Sequence, residues 1–121
     1  MATISIEYKG ELLNKCRHNQ SGTEIFTDAP VDNHSKGSSF SPTDLLCNSL
    51  ATCMMTIIGV ASETFNFDVT GTKIEVTKIM TANPRRVGEI IIDFYFPNIN
   101  YTPKEKKIIE DELWKSDLKL Q

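Results

Sequence analysis

Ser41-Pro42-Thr43-Asp44-Leu45-Leu46-Cys47-Asn48-Ser49-Leu50-Ala51-Thr52-Cys53-Met54-Met55-Thr56-Ile57-Ile58-Gly59-Val60-Ala61 is the stretch that decides how this chain folds. It opens with a helix start: Ser41 as N-cap, Pro42 at the first helical position, and Asp44 at the third, where a carboxylate meets free amides and the positive end of the helix dipole. From Leu45 to Ala61 no residue is charged. Leu46, Leu50, Cys53, Ile57 and Ala61 recur at steps of three and four and define one face, while Leu45, Met54, Met55, Ile58 and Val60 load the others. A helix that is apolar nearly all round is either buried on every side or crosses a membrane. A span needs roughly 20 apolar residues. This run is shorter and carries Asn48, Ser49, Thr52 and Thr56. The pattern predicts a buried central helix over residues 41–63.

Outward from that helix the texture changes. Residues 1–30 read as strands: Ile4, Ile6 and Tyr8 alternate with polar residues, Asn19-Gln20-Ser21-Gly22 is a turn cluster, and Thr23 to Thr27 resumes the β pattern. Asp28 to Phe40 is a polar loop of a length that is often functional. On the far side, residues 70–97 again read as strands, with Ile74, Val76 and Ile79, a turn at Asn83-Pro84-Arg85-Arg86, and a strongly apolar run from Ile90 to Phe96. Thr102-Pro103-Lys104-Glu105 repeats the cap, proline and acid of a helix start, and Ile108, Ile109, Leu113 and Trp114 give an apolar face over 102–116. Strands in runs rather than alternating singly with helices predict an α+β fold with antiparallel sheet. One sheet of about five strands covers one side of the central helix, so a second copy of the chain is expected to cover the other.

The composition agrees with one soluble domain. The chain has 121 residues, 40% apolar and 24% charged, with a formal net charge of −3. An acidic balance, with an isoelectric point near 5.3, argues against a module that binds nucleic-acid phosphates, which carries a basic field. Three cysteines, none in a Cys-x-x-Cys pair, fit free thiols in a reducing cytoplasm better than a disulfide framework. The first ten residues lack an apolar core behind a basic head, so no secretory signal is expected there.

Among the residues that carry chemistry, Cys53 stands out. By itself a cysteine in an apolar helix is more economically a packed core residue than a reactive thiol. Cys47 lies six residues earlier, about 120° around the same helix, so the two sulfurs do not meet within it. His18 and His34 lack the patterned neighbours of a zinc site. Asp28, Asp32, Asn33 and His34 lack the glycine and terminal glutamate of a calcium loop. These patterns give no metal site.

Thr27-Asp28-Ala29-Pro30-Val31-Asp32-Asn33, Gly37, Phe40-Ser41-Pro42-Thr43-Asp44-Leu45-Leu46 and Leu50-Ala51-Thr52-Cys53-Met54, with Asn83-Pro84-Arg85-Arg86-Val87 before a strand, closely resemble the OsmC/Ohr family of osmotically inducible and organic hydroperoxide resistance proteins. The resemblance runs from about Ile4 to Leu113. It implies antiparallel sheets around long central helices, built as an intertwined homodimer. It also implies reduction of organic hydroperoxides by a cysteine thiolate, with no metal or organic cofactor and with reducing equivalents from a thiol or a lipoyl-type dithiol. Cys53 maps onto the attacking cysteine.

Three departures accompany the resemblance. The family's second cysteine follows the last helix, where residues 112–121 contain none and the tail reads as shortened. The glutamate that organic hydroperoxide resistance proteins carry ten residues before the reactive cysteine is Thr43 here. Asp44 is the nearest acid and is kept as a candidate. Nine residues ahead of Cys53, it projects about 180° away and about 13 Å along the axis, which suits a cap better. The family favours the thiolate with an arginine from the N-terminal strands; the closest here is Arg17, whereas relatives often place it nearer Leu13, and an exposed strand arginine is the more economical reading. Two readings follow: a cytoplasmic thiol peroxidase using Cys53 with Arg17 and Asp44 as the accompanying candidates, or a catalytically impaired dimer of the same fold with a ligand-binding or structural role.

Overall fold

The computed structural model describes residues 2–29, 37–97 and 100–120, with side chains up to residue 113. The elements are β1 (Ile4–Gly10), β2 (Leu13–His18), β3 (Glu24–Thr27), α1 (Pro42–Thr64), β4 (Lys73–Thr81), β5 (Arg86–Tyr95) and α2 (Pro103–Leu120). The chain divides into two compact units, Met1–Leu46 and Cys47–Gln121, and α1 runs from the first into the second. The described strands do not form the single sheet expected. They make a three-stranded antiparallel sheet, β1-β2-β3, and a separate β4-β5 hairpin.

In the first unit, cross-strand rows follow the period-2 pattern. Ile6 faces Cys16, which faces Ile25. The β1–β2 hairpin turns through Glu11 at φ 55° and Leu12 at φ 67°, with the Leu12 amide donating to Tyr8 Oη at 3.2 Å. Two-residue hairpin turns need positive φ because only that twist matches the strands. The β2–β3 turn is the Asn19–Gly22 cluster, closed by the Gly22 amide on the His18 carbonyl at 2.8 Å.

Both ends of α1 are capped as the residue types dictate. The Asp44 amide donates to Ser41 Oγ at 3.0 Å, and the Ser41 amide donates to Asp44 Oδ2 at 2.9 Å. This is a reciprocal capping box with Asp in the acid role. At the far end Asn66 takes φ 59°. The Phe67 amide donates to the Ser62 carbonyl at 2.9 Å and the Asn66 amide to the Glu63 carbonyl at 3.3 Å, the two bonds of a Schellman cap.

The sequence pattern predicts burial all round α1; the structure buries one stripe of it. Cys47, Ala51, Met54, Ile58, Ala61 and Ser62 are buried, one residue step, or about 100°, around from the Leu46–Ala61 stripe. The helix is not covered on all sides by this chain: Leu46 is 58% exposed and Val60 59%. At 23 residues α1 is long and apolar enough for a membrane span by length and composition alone, but Ile58 is 1% exposed inside a protein core. That core, in the second unit, joins Ile58 to Val69 of the following turn and Ile109 of α2, with Met55, Phe67, Phe94, Phe96, Tyr101 and Leu113 packed around. Tyr101 closes it by donating its hydroxyl to the Asp68 carbonyl at 2.7 Å. The second strand region starts at Lys73 rather than Thr70. Gly71 sits at φ 94°, and the Thr70 amide bonds Asp68 Oδ1 at 2.8 Å, so 68–72 is a turn. α2 begins with a second reciprocal box between Thr102 and Glu105. Trp114 lies beyond the described side chains.

Two stability predictions follow from this geometry. Replacing Glu11-Leu12 by Asn-Gly puts at both positive-φ positions residue types that tolerate the left-handed region and should raise stability by about 1 kcal/mol, read as a higher urea midpoint. An unchanged or lower midpoint would show that the turn carries no strain. Ile58→Ala opens a cavity in the second unit's core and should cost about 2–5 kcal/mol in the same titration.

Candidate functional site

Cys53 is exposed, in the fourth turn of α1. Its surroundings on the helix come directly from the sequence. Ser49 and Ile57 stand one turn away on the same side, because side chains four apart share a helix face. The flanking polar side chains turn inward to the backbone. Thr52 Oγ1 donates to the Asn48 carbonyl at 2.8 Å and also lies 3.2 Å from the Ser49 carbonyl, and Thr56 Oγ1 donates to the Thr52 carbonyl at 2.8 Å. With the Thr52 and Thr56 hydroxyls committed and no charge between Leu45 and Ala61, the surface that carries the thiol is uncharged and largely apolar: Leu46, Leu50, Ile57 and Val60 surround Cys53, with Ser49 and Thr56 as its polar members. The sequence placed Cys53 on an apolar face correctly. It did not show that this face, rather than the neighbouring one, is left open.

The other two cysteines have different settings. Cys47 is buried at 2% exposure. Six residues of helix rise separate it from Cys53 by roughly 9 Å along the axis, more than the ~7 Å Cα limit for a disulfide. Cys16 is half-buried on β2, in the row between Ile6 and Ile25.

Asp44 is occupied with capping. Its Oδ2 accepts the Ser41 amide, and its own amide is bound by Ser41 Oγ. Thr43, at the position where the resemblance leads one to look for an acid, shares a hydrogen bond of 3.1 Å with Ser41 Oγ. Arg17 is exposed on β2 in the first unit. Its guanidinium lies against Gly22, with Nη2 3.6 Å from where a Cβ would stand. Together with Ile4, Cys16, His18 and Ile25 it lines a pocket of about 370 Å³. Asp44 and Cys53 are thus held on one helix but turned apart, and Arg17 and Cys53 belong to different units.

A second cavity, about 560 Å³, lies in the second unit between α1 and the turn after it, lined by Thr52, Thr56, Gly59, Glu63, Phe67 and Asp68 among others. Hydrogen bonds from Thr70 hold the Asp68 carboxyl below the ordinary carboxylate range. Partial burial, then the nearby Asp68 and Glu105 charges, push the Tyr101 hydroxyl upward.

One functional-looking residue went unassigned by sequence reasoning. Asp28 is 5% exposed. Its carboxylate accepts the Ala29 amide at 2.8 Å, the Ser38 amide at 3.2 Å and the Ser38 hydroxyl at 2.6 Å, and its amide donates to the Phe40 carbonyl at 3.0 Å. It joins the two ends of the 29–37 segment just before α1. The signal available was an Asp at a loop mouth with serines at the other end, which also fits any solvated loop. Of the residues weighed as a calcium loop, Asp32, Asn33 and His34 lie outside the described residues. Among the described residues no three His, Cys, Asp or Glu side chains are grouped to hold a metal ion, and His18 Nδ1 is hydrogen-bonded to Ser21 Oγ at 2.6 Å.

Comparison with known proteins adds the lineage. No family model matches the chain, and no curated protein does. Among solved structures, a Psychrobacter arcticus 273-4 protein assigned to the osmotic stress induced and detoxification response is 49% identical, with a TM-score of 0.86 over 93% of this chain and 81% of that one. An OsmC-like protein of unknown function from Vibrio cholerae superposes at TM-score 0.76 with 11% identity, over 96% of this chain and 90% of that one. An organic hydroperoxide resistance protein OsmC from Legionella pneumophila superposes at 0.63 with 9% identity, over 90% and 79%. At those identities the last two speak for the fold alone. The capped apolar helix with an exposed cysteine, the two antiparallel sheets, and a half-identical relative spanning nearly the whole chain together place this protein in the OsmC/Ohr family.

Proposed function

We propose that this chain is a homodimeric thiol peroxidase that reduces organic hydroperoxides through Cys53. The observation that carries the reading is the exposed Cys53 thiol on an uncharged, largely apolar helix face. Such a face suits the hydrocarbon part of an organic peroxide better than hydrogen peroxide, because apolar surface gains by leaving water. Family membership supports a redox role. The names of two structural neighbours, organic hydroperoxide resistance proteins from Legionella pneumophila and Elizabethkingia anophelis, match the substrate class.

In the proposed cycle the Cys53 thiolate attacks one peroxide oxygen. A sulfur–oxygen bond forms, the O–O bond breaks, and the leaving alkoxide takes up a proton to depart as the alcohol. Sulfur is oxidised to the sulfenic acid and the peroxide is reduced. A thiol or lipoyl-type dithiol then attacks the sulfenic sulfur, releasing water, and a second thiol returns Cys53 to its reduced form. Cys47 does not serve as the second thiol within its own helix, for the reason of distance given above. Arg17 is proposed as the cation that favours the thiolate. A cytoplasmic location fits the same chemistry, since all three cysteines are free and a reducing compartment keeps them so.

Dimerisation belongs to the proposal because the Cys53 face is also the uncovered one. Leu46 and Val60 stand well over half exposed, and burying a leucine or valine side chain is worth about 1.5–3 kcal/mol. A second copy laid along this face removes it from water and encloses the thiol.

A second reading rests on one observation: the acid nearest Cys53 on its helix, Asp44, is tied to the helix start. If catalysis needs an acid beside the thiol, the chain keeps the scaffold without the peroxidase activity.

The tests separate these. Stopped-flow mixing with cumene hydroperoxide should consume one thiol per chain. Intact-protein mass spectrometry should show a single added oxygen in the wild type and in Cys47→Ala, and none in Cys53→Ser. An unoxidised Cys53 after excess peroxide would leave only the second reading. Asp44→Ala should lower helix stability by about 1 kcal/mol while the rate of thiol oxidation stays within about twofold. A rate loss of a hundredfold in a folded variant would make Asp44 catalytic. In sedimentation, the wild type should run as a dimer and Val60→Glu as a folded monomer by circular dichroism. A monomeric wild type would remove the dimer from the proposal.

A further inference from the structure

We draw no further inference here: the strongest candidate, the cleft of about 560 Å³ between α1 and the 67–72 turn, carries nothing, because the hydroxyls of Thr52, Thr56, Ser62 and Thr72 that line it donate to backbone carbonyls and nothing in the structure shows what covers it.

Discussion

The apolar circumference of α1 is the constraint on which the remaining structure depends. Seventeen consecutive residues, Leu45 to Ala61, carry no charge, so every side of this helix gains by leaving water. Within one chain that demand is met on one stripe. Ile58 reaches Val69 and Ile109 with an aromatic surround, and Ala51, Ala61 and Ser62 allow close approach because they are small. The adjacent stripe, with Leu46, Cys53 and Val60, is left in solvent. One asymmetry therefore connects the stability of the second unit, the accessibility of the thiol, and the case for a second copy.

The absence of charge along α1 has an electrostatic consequence. A helix of this kind keeps its ionisable groups at its ends, and here the N-terminal acid is drawn into the cap by the free amides of the first turn. The interaction that makes the helix start self-sufficient also ties up the Asp44 carboxylate, nine residues before Cys53. Among the strands of the first unit, β1 carries Lys9 and β2 carries Lys15 and Arg17. Lys15 is already paired with Glu24 at 3.6 Å, which leaves Arg17 as the more available charge on β2.

Much of the fold was legible because its signals are local. Ser41-Pro42-x-Asp44 and Thr102-Pro103-x-Glu105 each predicted a helix start that the structure shows as a reciprocal hydrogen-bonded box. Asn19–Gly22 predicted a turn, and alternation at Ile4, Ile6 and Tyr8 predicted a strand. The residue pattern alone did not divide the strands into two sheets, which only the family resemblance implied, since strand alternation says which residues share a face and nothing about which strands become neighbours. Glu11 and Leu12 gave no warning of a positive-φ turn, because neither residue type favours that region. Asp28 read as one more polar loop residue. Its burial follows from the return of Ser38 and Phe40 to the same place, a non-local event.

For the candidate site the boundary falls in a similar place. The sequence by itself determined that a cysteine sits on a long, capped, uncharged helix, and that Cys47 and Cys53 point different ways, because helix periodicity dictates both. Only the tertiary structure decided which of two equally apolar stripes meets the core and which faces outward. Hydrophobic burial is non-directional, so a pattern apolar all round names no preferred side. The choice was made by the partners that the turn at Val69 and the α2 residue Ile109 brought against Ile58, and it left the thiol on the open side.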